Sequence, residues 1–249
     1  MAAPITHIAL TEKIFDKFFK DKIRKDFFIG TSFPDIRYLK VIDRDKTHYN
    51  RLSITDLGND ESFLAGVKFH SILDHAREKF IVENDTYSLC PESKYITQSL
   101  KILEDEIFYQ HVKDWNVYAE YLNEILQAER GYGITEKNLK KWHSLLQQYF
   151  QWQPDNDAVR SFMLGIDFAE EIADEINQNI AVMRANKEII DIQKAINKTP
   201  DLPDGMKRQS ELEERVYSIE NKPEESEQGF KLSDAQIIEA KTKIKELLS

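Results

Sequence analysis

The chain has 249 residues, a formal charge of −10, and 41% hydrophobic and 31% charged side chains. That length can bury a core without disulfides, and the composition is not that of a disordered or fibrous chain. Residues 1–150 hold 21 basic and 23 acidic side chains, and residues 151–249 hold 13 and 21; the acidic surface repels phosphate backbones, so general nucleic-acid binding is not expected.

Periodicity predicts helix almost throughout and no alternating strand run. Thr6 can cap a first helix over about 7–20, with an apolar stripe at Ile8, Ile14, Phe15, Phe18 and Phe19. The stretch from Phe27 to Ile36 contains Gly30 and Pro34 and reads as irregular, and residues 41–60 read as a polar loop. A helix from Glu61 to Phe80 follows, with Phe63, Leu64, Val67, Ile72 and Leu73 expected in the interior. Cys90 is the lone cysteine, which excludes an internal disulfide framework and fits a reducing compartment.

Further helices are expected at about 94–112, 114–129, 136–152 and 157–196. In the last of these, Phe162, Ile166, Ala169, Ala173, Ile176, Ile180 and Met183 step by fours and threes. Such a seam packs on the chain's own core or, second, on another copy or a partner. Beyond it come a charged helix at about 206–219, a solvated linker at 221–229 and an amphipathic helix at about 233–248. The expectation is an all-α, multi-helix bundle over 1–197 with a metal site at one end. A helical C-terminal extension over 198–249 follows, and 157–196 or 205–249 is suited to a protein partner or self-association. With no basic-then-apolar leader and no run of membrane-spanning length, the chain reads as cytoplasmic, with no transmembrane segment.

Four of the six histidines lie within the first 75 residues. His70 and Asp74, four apart on a helix, share a face and can meet one zinc or other first-row ion. Asp35 directly follows Pro34, where a carboxylate is presented rigidly; His48 closes the next loop and His7 opens the first helix. Any one of these is more simply structural, whereas the five together point to a metal site. Arg37 and Arg44 flank it and are candidates to clamp phosphate oxygens.

The ordered pattern Thr6-His7, Phe28-Ile29-Gly30-Thr31-Ser32-Phe33-Pro34-Asp35-Ile36, Arg44 with Thr47-His48, and Gly66-Val-Lys-Phe-His70-Ser-Ile-Leu-Asp74 resembles the zinc-dependent phospholipase C family. That all-helical superfamily also holds single-strand nucleases. The resemblance implies that Asp35, His48, His70 and Asp74 hold one zinc. It also implies that His7 helps hold a second, that Asp74 bridges the two, and that Asp35 orients or deprotonates the attacking water. Where the family has another histidine this chain has Phe80, and its later His-x3-Glu pair is missing. Glu104, Asp105 and His111 lie in the right region to supply a substitute ligand.

The expected activity is metal-dependent hydrolysis of a phosphate ester, either a small phosphodiester or a lipid headgroup, by a metal-activated water. The alternative is a non-catalytic helical scaffold that keeps a structural or degenerate metal site.

Overall fold

The computed structural model describes residues 3–196, which are all-helical with no strand among them. The expected linkers and helices after residue 198, and their suitability for docking, lie outside the described residues. No helix among those described is long and apolar enough to cross a membrane.

The first helix, α1, spans Pro4–Phe18 and starts earlier than a Thr6 cap would allow. Proline suits the first helical position because its missing N–H would be unpaired there anyway. The next donors are met from far along the chain. Asp105 accepts from the Ile5 and Thr6 amides at 3.3 and 2.7 Å, and from the Thr6 hydroxyl at 2.7 Å.

The segment read as irregular is instead α2, Arg24–Ser32, followed by a 3-10 helix over Pro34–Leu39. Gly30 marks a close approach here and not a break. An ideal Cβ on Gly30 would stand 2.1 Å from the Phe63 carbonyl oxygen, and one on Gly66 would stand 2.1 Å from that of Phe27. Each glycine thus admits the backbone of the other helix. The segment 41–60 is likewise not plain loop: it carries 3-10 turns at Arg44–Lys46 and Ile54–Leu57, the second opened by a Ser53–Asp56 capping box.

The second partner of that crossing is α3, Ser62–Glu83. Phe15, Phe19, Phe27, Phe28 and Phe69 interlock where α1, α2 and α3 meet, with the Phe19 and Phe27 ring centroids 4.6 Å apart.

A 3-10 turn over Thr86–Leu89 leads to α4, Ile96–Phe108, and another spans Tyr109–His111. The helix expected over 114–129 is two short ones, α5 (Trp115–Tyr121) and α6 (Gln127–Arg130), before α7 (Glu136–Phe150). The split is fixed by Glu129, which accepts the Leu126 amide at 2.7 Å and faces His143 Nε2 at 2.7 Å.

The long helix expected over 157–196 is three: α8 (Asn156–Gly165), α9 (Glu170–Arg184) and α10 (Lys187–Ile196). Asp167 takes a left-handed φ of 65°, which ends the first. Asn186 Oδ1 accepts from the Glu188 amide at 3.0 Å and so caps the third. Of the seam, Phe162, Ile166, Ala173, Ile176, Ile180 and Met183 are buried in the chain's own core, while Ala169 is exposed.

Gly30→Ala and Gly66→Ala are each expected to cost about 1–3 kcal/mol or more through overpacking, although alanine by itself favours helix by about 1 kcal/mol. Gly58→Ala, whose Cβ would come no nearer than 3.7 Å to another atom, should leave the urea midpoint unchanged. Equal midpoints for all three variants would refute the close crossing.

Burial pushes the Asp105 carboxyl up to about 7, outweighing the hydrogen bonds from Thr6 and Ile5. The native state therefore holds this proton where the unfolded chain has lost it, and stability falls as pH rises from about 4 to about 7. In chelator, so that no bound ion contributes, Asp105→Asn should flatten the decline in melting temperature between pH 5 and 7; an unchanged slope would contradict the assignment.

Candidate metal centre

His7, Asp35, His48, His70 and Asp74 come together, at 1, 3, 6, 1 and 4% exposure. They arrive from α1, the 3-10 helix after Pro34, the residues after the Arg44–Lys46 turn, and α3. The i, i+4 pair on α3 behaves as its spacing predicts, with His70 Nε2 3.5 Å from Asp74 Oδ2.

The backbone and its hydroxyls aim the rings. His70 Nδ1 lies 2.8 Å from the Thr31 carbonyl, one of the four at the end of α2 with no partner inside the helix. His7 Nδ1 lies 3.2 Å from the Ala3 carbonyl. A carbonyl only accepts, so both rings donate through Nδ1, and in the neutral imidazole Nε2 carries the lone pair. His48 Nδ1 lies 3.0 Å from Thr47 Oγ1, whose own hydrogen is directed to the Arg44 carbonyl at 3.4 Å. That hydroxyl therefore accepts from His48, with the same result. The Tyr49 amide donates to Ser71 Oγ at 3.0 Å and ties the His48 segment to α3.

The three Nε2 atoms and Asp35 Oδ1 have no hydrogen-bond partner. Around Asp74 they divide by oxygen. His7 Nε2 is 3.4 Å from Oδ1, while His48 and His70 Nε2 are 3.6 and 3.5 Å from Oδ2. Asp35 Oδ1 is 4.0 Å from His70 Nε2. These spacings exceed the usual hydrogen bond. The 3.4–3.6 Å spacings around Asp74 come close to those of neighbouring ligands of one tetrahedral ion, which stand about 3.3–3.4 Å apart when each bond is about 2.0–2.1 Å; Asp35 stands further off.

Two trios therefore can hold a metal ion, His7 with His70 and Asp74, and Asp35 with His48 and His70; in each, the ligand atoms lie within 4.8 Å of one another. The His7 and His70 rings stack with centroids 3.8 Å apart and planes 6° apart.

Burial opposes the charge on Asp74, but the positive charge of His70 and the N–H donors of His48, His7 and His70, when these rings are protonated, outweigh it and hold the carboxyl well below its usual range; with neutral rings a cation takes over that role. His143 shows the contrasting case of a structural core histidine, with Nδ1 2.9 Å from the Leu122 carbonyl and Nε2 2.7 Å from Glu129.

The other sequence candidates are placed differently. Arg37 Nη2 is 3.5 Å from Asp35 Oδ1, at the rim of the centre. The Arg44 side chain is exposed, and its backbone carbonyl instead accepts from Thr47 and His48. Glu104 and Asp105, proposed as substitute ligands, serve other groups. Glu104 is fully buried against Arg77, with Nη2–Oε1 at 2.6 Å, and Asp105 caps α1. His111 sits exposed on its 3-10 helix with its ring 5.6 Å from Phe108. Thr31, Thr47 and Ser71 fall inside the pattern read from the sequence, but their roles in orienting His70, His48 and the segment after it emerge only from the packing.

No family model matches the chain, and no curated protein or solved structure gives a significant match.

Metal analysis by inductively coupled plasma mass spectrometry should find about one to two first-row ions per chain, removable by chelator. His70→Ala, which takes a nitrogen from both trios, should lose most of that metal. Wild-type metal content in this variant would refute the centre.

Proposed function

We propose that the chain is a metal-dependent hydrolase of phosphate esters. The reading is carried by the division of ligands around Asp74, whose two oxygens face separate histidine sets and so suit a carboxylate bridging two ions. His48, His70, Asp35 and Asp74 Oδ2 would hold one ion, and His7 and Asp74 Oδ1 would help hold the other. The nitrogen and carboxylate donors fit zinc, with another first-row divalent metal as the substitute. When bound, such ions acidify water and neutralise charge developing on phosphoryl oxygens.

The chain's own residues position the rest. Asp35 stands 4.0 Å from His70 Nε2 and also lines a narrow cleft. Its carboxylate would orient the attacking water and take its proton. Arg37, 3.5 Å from Asp35 and with its guanidinium 4.3 Å over the Tyr38 ring, is held at the same edge, where it can meet a phosphoryl oxygen. The sequence resemblance to the zinc-dependent phospholipase C family supports the same chemistry. The substrate is a small phosphodiester or a lipid headgroup, and the acting compartment is the cytoplasm.

A non-catalytic scaffold with a structural metal is the second reading, favoured by the depth of the ligands, none more than 6% exposed. Hydrolysis of bis(p-nitrophenyl) phosphate by the metal-loaded chain separates the two. Asp35→Asn is expected to lower kcat by about 100-fold or more with metal content retained. A metal-loaded wild type without turnover would favour the scaffold.

A further inference from the structure

The five side chains of the metal centre are buried, and the three Nε2 atoms that face its carboxylates are closed off from solvent. The cleft beside Asp35 offers about 30 Å³, room for a water or two and not for a hydrated ion. An ion therefore enters or leaves only when part of the chain moves.

Four of the five residues stand on elements that resist such a motion. His7 is inside α1, whose first turn is held by Asp105. His70 and Asp74 are on α3, and α2 is locked against α3 at Gly30 and Gly66. Asp35 follows α2 directly, on a 3-10 helix whose Pro34, Ile36 and Leu39 are buried.

His48 is carried differently. In the stretch 41–50 the side chains from Asp43 to Lys46 and that of Asn50 are exposed, and only Thr47 and His48 are buried. The Lys46, Thr47 and His48 amides bond to the Asp43 and Arg44 carbonyls, so the stretch keeps its shape without help from the helices. It is tied to α3 by the Tyr49 amide, which donates to Ser71 Oγ at 3.0 Å. The residues that bound it, Lys40 and Arg51, both take left-handed φ angles, 57° and 59°, although neither is glycine. Side chains with a Cβ are strained in that region, and a change of φ at both ends relieves the strain while the stretch between them swings as one piece.

We propose that residues 41–50 form a hinged strap that admits and releases the metal ion, with His48 leaving the centre as the strap opens. The other four side chains stay assembled meanwhile. Release then needs only a local opening, which takes less free energy than unfolding the helices, and the strap sets how long the ion stays. Such a strap serves a catalytic and a structural ion alike.

Stopped-flow transfer of zinc from the loaded full chain to a chromogenic chelator reads the opening directly. The rate should reach a plateau as chelator concentration rises, because the strap must open first. Ser71→Ala releases the Tyr49 amide and should raise the plateau about 2- to 10-fold, the range for one lost hydrogen bond. Ile176→Val, a truncation on the buried face of α9, should lower the melting temperature and leave the plateau within about twofold. Amide hydrogen exchange needs no variant. In the metal-free chain the Thr47, His48 and Tyr49 amides should exchange about 100-fold or more faster than those of Ile72 and Leu73, which open only with α3.

A transfer rate that keeps rising in proportion to chelator overturns the strap, because the ion is then reached in the closed centre. Equal acceleration by Ser71→Ala and Ile176→Val overturns it too, since release would follow global unfolding. So does equal amide protection of the strap and α3.

Discussion

The reciprocal contact of Gly30 and Gly66 sets the distance between α2 and α3, and the metal centre is placed from it. Thr31, which follows Gly30, offers its carbonyl to His70 Nδ1 at 2.8 Å. His70 stands one turn after Gly66, and Asp74 one turn after that. Ser32, next along α2, gives its carbonyl to the Trp142 indole at 3.2 Å and brings α7 against the same end. Pro34 and Asp35 then follow without slack. Separating the two helices by a methyl group would take the His70 ring away from its carbonyl, so close packing and ligand orientation are one constraint.

The electrostatics show why such a centre is not an ordinary polar core. His143 has both nitrogens partnered and adds to the fold as it stands. His7, His48 and His70 each spend Nδ1 on the chain and direct Nε2 at carboxylate oxygens beyond hydrogen-bond reach. Buried lone pairs facing buried carboxylates are mutually unfavourable, and a cation between them reverses the sign of every one of those interactions. The Arg77–Glu104 pair lies one turn beyond Asp74 on α3 and is itself fully buried. Its charges match each other, so it closes off that side of the centre without competing for the ligands.

The clustering of the five side chains was legible in the sequence because their order and spacing survive without knowledge of packing: a helical i, i+4 pair, a carboxylate behind a proline, and histidines at segment ends. The all-helical class was legible from periodicity. What failed were positions whose meaning depends on a distant neighbour. Gly30 reads as a breaker until Gly66 is seen opposite. Thr6 reads as a cap until Asp105, about a hundred residues on, is seen to take its amide. The seam from Phe162 to Met183 keeps heptad spacing across the break between two helices, because α8 and α9 pack on one core although Asp167 turns the backbone between them. Lys101 sits inside an otherwise apolar run, where a lone lysine ordinarily marks the solvated face, and nothing local says that its helix is covered on that side.

Helix α4 brings these observations together. Glu104 and Asp105 are the residues that a search for missing ligands selects, and neither belongs to the two ligand trios. Adjacent residues on a helix diverge by about 100°, so the two carboxylates cannot serve one neighbour. Glu104 turns to Arg77 beyond Asp74, and Asp105 turns to the start of α1, where it holds the turn that presents His7. Lys101, three and four residues earlier, lies on the same buried face as both and lines the cleft beside Asp35. One helix thus braces the α3 side of the centre and anchors the α1 side. An ion bound directly by Glu104 or Asp105 would have to break one of these arrangements. The acidic triplet from Glu104 to Glu106 is therefore better understood as the frame of the centre than as its missing ligands.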